Sequence, residues 1–128
     1  MNFRMTLAAF AVLAAPLAAG GAAYAHGSTK PQHGGIVQMT GETLFELVNK
    51  PEGVELYISE EAEPIPASSA SAKLSIATGA AKKEAPLTPA GGNKYIGKGV
   101  KVPSGSKVTV TLVNNRSKAK TFAIFTVK

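Results

Sequence analysis

From Gly35 onward the chain is cut by clusters of glycine, proline, asparagine and serine at roughly 8–12-residue intervals, and that spacing leaves little room for anything but short strands. An amphipathic helix needs apolar residues at i, i+3, i+4 and i+7 with no breaker between them. No stretch supplies them. The segments between the clusters alternate instead. Val54, Leu56 and Ile58 share one face, and Glu55, Tyr57 and Ser59 the other. Ala72, Leu74 and Ile76 repeat the pattern, and Val108, Val110 and Leu112 oppose Thr109 and Thr111. A period of two is that of a half-buried strand. Strands are therefore expected over Ile36–Thr40 and over residues 43–49, 54–59, 72–76, 82–87, 95–97, 108–112 and 121–127. The last of these turns Ala123, Phe125 and Val127 one way. Lys50-Pro51-Glu52-Gly53, Gly91-Gly92-Asn93, Pro103-Ser104-Gly105 and Asn114-Asn115 have turn composition, and residues 60–67, with Pro64 and Pro66, read as a loop. Seven or eight strands in one domain of this size predict an all-β, immunoglobulin-like antiparallel β-sandwich. The chain has no cysteine and no tryptophan. The Cys…Trp…Cys signature of true immunoglobulin domains is thus missing, and only the architecture is implied.

The first residues follow a different rule. Arg4 gives a basic start, an alanine-rich apolar run extends from Met5 to Ala19, and Ala23-Tyr24-Ala25 places small residues at both positions of an A-x-A cleavage site. Residues 1–25 read as a secretory signal peptide. The run falls short of the ~20 apolar residues of a confident membrane span; an uncleaved anchor is the alternative reading. Cleavage leaves a polar, flexible N-terminal arm over residues 26–34 and the sandwich over 35–128. It also predicts a periplasmic location, with no stable membrane span after cleavage.

Composition removes several chemistries. Without cysteine or aspartate there are no disulfides, thiolate zinc sites or Asp-based triads. No serine sits in a G-x-S-x-G elbow. The aromatics are too few for the binding surface of a copper oxygenase, so no enzyme is expected. The lysines are scattered and only Arg116 follows residue 25, which is unlike a nucleic-acid binder. Lysines on edge strands guard against strand addition, and a weak attraction to anionic headgroups stays open.

Both histidines, His26 and His33, fall in the arm. Cleavage after Ala25 makes His26 the N-terminus, so its α-amine and imidazole Nδ1 can close one chelate ring. An α-amine titrates at about 7.7–8.0, low enough for a metal to displace its proton near neutral pH. His33 adds a third nitrogen. Such a set, a histidine brace, suits Cu(II) and less well Zn(II). Glu46 interrupts the apolar run Leu44-Phe45-Glu46-Leu47-Val48. It either faces solvent on an alternating strand or reaches the arm as a carboxylate ligand. Met39 offers a thioether for Cu(I) or simply packs, and Glu60, Glu61 and Glu63 form an acidic loop that is solvated or gathers cations weakly.

The motifs His33-Gly34-Gly35, Phe45-Glu46-Leu47-Val48, Gly53-Val54-Glu55-Leu56-Tyr57, Leu87-Thr88-Pro89-Ala90-Gly91-Gly92-Asn93, Gly97-Lys98-Gly99 and Phe125-Thr126-Val127 together resemble a group of small exported bacterial proteins. The pattern is also similar to the N-terminal periplasmic segment of adaptor subunits in heavy-metal efflux pumps of the resistance–nodulation–division type. The resemblance spans Gln32 to Val127. It implies a periplasmic β-sandwich linked to copper, zinc or related metals, with an efflux-pump component as partner. It carries over His33 as a ligand and Glu46 as the matching acidic position; His26 rests on the cleavage argument alone. An adaptor also has a helical hairpin and membrane-proximal domains that this sequence does not contain. The expected role is therefore accessory: a monomer that holds or delivers metal. The rival is a metal-free structural or interaction module that docks on an efflux pump or envelope protein.

Overall fold

The alternating runs become strands because each can bury one face and leave the other wet. The structure is a computed structural model that describes residues 29–128; the expected signal peptide, its cleavage site and His26 lie outside the described residues. Ten strands follow in order: β1 (Ile36–Thr40), β2 (Thr43–Lys50), β3 (Gly53–Glu60), β4 (Glu63–Pro64), β5 (Ala70–Thr78), β6 (Ala81–Pro86), β7 (Thr88–Pro89), β8 (Lys94–Lys98), β9 (Lys107–Asn114) and β10 (Lys120–Thr126). One 3-10 turn, Ala67–Ser69, precedes β5. Among the described residues no helix is long and apolar enough to cross a membrane.

Two antiparallel sheets result. The first runs β1-β2-β3-β8-β7, with β4 added to β3; the second runs β10-β9-β5-β6. The order β2-β3-β8-β7 against β10-β9-β5-β6 is that of immunoglobulin strands A-B-E-D against G-F-C-C′, so the expected architecture is present. β1 is an addition at the edge beside β2. Eight of the ten strands are those expected, with ends shifted by one or two residues. The other two, β4 and β7, have two residues each. They arise in stretches read as loop or turn because a neighbour's ladder captures them. Prolines 64, 86 and 89 all sit on outermost or appended strands, where a missing N–H interrupts no ladder.

The faces fall as the alternation implies. Phe45, Leu47, Val54, Leu56 and Ile58 of the first sheet are buried against Leu74, Ile76, Val108, Val110 and Phe125 of the second. Tyr95 fills the same core, and its hydroxyl donates to the Ala70 carbonyl at 3.4 Å. Burial pushes that phenol's pKa up. On one open side of the sandwich β1 meets β10, where the Thr40 hydroxyl donates to the Phe122 carbonyl at 2.6 Å. What remains is the outer face of the first sheet, and the candidate site lies there.

Candidate functional site

Strand alternation turns Phe45 and Leu47 inward, so Leu44, Glu46 and Val48 point to the outer face. Val37 on β1 and Tyr57 on β3 stand opposite Glu46 on its two neighbouring strands. A glutamate here was expected to face solvent or to reach the arm. It does not face solvent: it is 1% exposed. The chain just before β1 folds over this patch and covers it.

Two glycines make that fold-over feasible. Gly34 has φ 75°, a left-handed conformation that costs a non-glycine residue about 1–2 kcal/mol. Gly35 lies so close to β2 that a Cβ there would run into the Leu47 carbonyl. The turn aims three backbone amides at one carboxylate. Gln32 N–H donates to Glu46 Oε1 at 2.9 Å, and the His33 and Gly35 amides donate to Oε2 at 2.8 and 2.9 Å. His33 Nδ1 adds a fourth contact, to Oε1 at 3.0 Å. Each oxygen therefore takes two hydrogen bonds, which fills the capacity of an ionised carboxylate. The His33 ring lies flat on Tyr57, with centroids 3.5 Å apart and planes 4° apart.

Burial alone would push the Glu46 carboxyl up. The amides of Gly35, Gln32 and His33, with the His33 ring, outweigh it, and the group sits below its ordinary value of 4.5. An ionised acceptor requires a donor, so Nδ1 carries a proton. In the neutral imidazole, Nε2 is then left as the lone-pair nitrogen.

Tyr57 begins a second polar row on the same face. Glu55, next outward on β3, takes Lys50 Nζ on Oε1 at 2.6 Å and Lys94 Nζ on Oε2. Lys50 and then Lys94 hold the Glu55 carboxyl below its usual range, and Glu55 raises both lysines in return.

Of the residues singled out in the sequence, His33 and Glu46 are in direct contact. Met39, half-buried on β1, lines the same cleft of about 600 Å³ as His33, together with Glu42, Ser59 and Asn93. His26 lies outside the described residues. Of the acidic loop, Glu60 and Glu63 pair in register across the β3–β4 turn. Glu61 and Ala62 make that turn with φ of 49° and 68°, a conformation usually left to glycine or asparagine, at the rim of the cleft. Among the described residues no three histidines or carboxylates gather around one point. Nothing in the sequence marks Tyr57 as a neighbour of His33. Its signal was the alternation that puts it on the face of Glu55, but only the arm's path shows that a ring rests on it.

Comparison with known proteins finds no matching family model, no similar curated protein and no similar solved structure.

Proposed function

We propose that the chain is a periplasmic metal-binding accessory protein that holds or delivers one copper ion, or less favourably zinc, in heavy-metal homeostasis or efflux. One observation carries this reading: the buried Glu46 carboxylate bound to His33 Nδ1. Metal-binding histidines typically give their second ring nitrogen to a carboxylate, which fixes the tautomer and the ring and makes the free nitrogen more basic. Here Glu46 does that job. Its oxygens are already filled, so it acts as a positioning residue and His33 Nε2 as the ligand. Coordination by Glu46 itself would break backbone hydrogen bonds in a buried place. The amine and imidazole of His26 complete the nitrogen set. Met39, in the same cleft, offers a soft donor suited to the reduced ion.

The test is a copper titration of the processed protein, with electron paramagnetic resonance reporting the number of bound nitrogens. The expected result is one Cu(II) per chain. His33→Ala, or a glycine added ahead of His26, each weakens binding strongly, and zinc suffers less from the added glycine. Glu46→Gln, which turns an NH₂ group toward the arm's donors and releases the His33 ring, lowers affinity about 10–100-fold. If the extended chain and His33→Ala bind copper as tightly as the unaltered protein, the brace is absent and the metal-free docking module takes its place.

A further inference from the structure

The outer face of the second sheet is laid out by its register. Phe122, Thr111, Lys73 and Pro86 form one row across β10, β9, β5 and β6. Ile124, Thr109, Ser75 and Glu84 form the next, and Thr126, Lys107, Ala77 and Lys82 the one after. Lys120 precedes Phe122 on the same face. Phe122 and Ile124 are 50% and 51% exposed, the most exposed large apolar side chains among the described residues. They stand side by side in the middle of β10, with lysines on three sides.

Charge is divided between the sheets. The chain has 8 acidic residues, all glutamate, and Glu84 alone belongs to the second sheet. The others lie on the first sheet or its turns. The second sheet's outer face carries Lys73, Lys82, Lys107 and Lys120, and the β9–β10 turn adds Arg116 and Lys118. Glu84 is itself paired with Lys73 at 3.6 Å. A cationic sheet face with two apolar side chains along its β10 edge needs a partner that offers spread negative charge and hydrocarbon in one plane. A second copy of the face cannot do so, since it would set lysine against lysine.

We propose that this face docks on an anionic phospholipid surface, with Phe122 and Ile124 entering the headgroup layer and the surrounding lysines meeting lipid phosphates. Lysines near such a surface each add attraction that salt screens. Phenylalanine and large aliphatic side chains bury at the boundary between headgroups and acyl chains. The proposal does not involve His33 or copper and stands or falls apart from them.

The chain has no tryptophan, so Phe122→Trp supplies its one indole, on the β10 edge of the face and excited apart from the tyrosines. Thr88→Trp, on the opposite sheet, is its control. Both proteins are titrated with vesicles of phosphatidylglycerol and phosphatidylethanolamine, with pure phosphatidylcholine vesicles, and with soluble polyglutamate. The expected result is a blue shift for Phe122→Trp with the anionic vesicles alone, abolished by high salt, and none for Thr88→Trp. Adding Lys73→Glu and Lys120→Glu weakens partitioning at least about tenfold. Circular dichroism confirms that each variant is folded. No shift, an equal shift with phosphatidylcholine, or an equal shift at both positions overturns the proposal. A shift with polyglutamate assigns the face to an acidic protein, and a concentration-dependent shift without vesicles assigns it to a second copy; either also overturns it.

Discussion

Glu46 shows what a single buried charge can organise. Three amides and one imidazole converge on it. Glu46→Ala strands those amides, and an unpaired buried donor costs about 1–3 kcal/mol; urea denaturation of the variant should show a loss of at least that size. Glu46→Gln is no gentler, because its NH₂ group must face donors. The pH dependence follows from the lowered carboxyl. A carboxyl whose folded pKa lies below its unfolded value stabilises fully above the unfolded value, and that stability is lost as pH falls through the folded one. The protection factors of the Gln32, His33 and Gly35 amides should therefore fall as acidification passes below the ordinary glutamate range, while core amides keep theirs. The sequence marked Glu46 as an anomaly in an apolar run. Its burial was not legible, because alternation describes a strand's two faces and not what later lies on them. By composition Gly34-Gly35 is a flexible hinge or a tight turn opening the first strand, and neither reading points to β2 as its target.

At the scale of strands, the alternating segments were readable because each strand's own residues decide its inward face. Val54, Leu56 and Ile58 are all buried. Leu56 is fully enclosed, so Leu56→Ala should cost about 2–5 kcal/mol in chemical denaturation. Phe122→Ser on β10, at a half-exposed site, should change stability by less than about 0.5 kcal/mol. β4 and β7 carry no alternation of their own; the register of a partner makes them. The β9–β10 turn was expected at Asn114-Asn115. It is built by Asn114, whose side-chain oxygen accepts from the amides of Arg116 and Ser117 at 2.9 and 3.0 Å. Asn114→Ala removes both bonds and should lower the midpoint of thermal unfolding.

For the molecule as a whole, the strand count and turn spacing led to the right architecture. The pairing of β3 with β8 and of β5 with β9 could not be read, since it joins segments far apart in sequence. The processed chain is expected to begin at His26, which intact-mass measurement on material from the periplasm checks directly. The meeting of β1 and β10 bears on when this chain can fold. Thr40 and Phe122 are 82 positions apart, so that side of the sandwich stays open until Phe122 is free to fold back on β1. Contacts this distant slow folding to milliseconds or seconds. During that interval β1 and β10 do not shield one another, and their outer edges stand open to strand addition from a neighbouring chain.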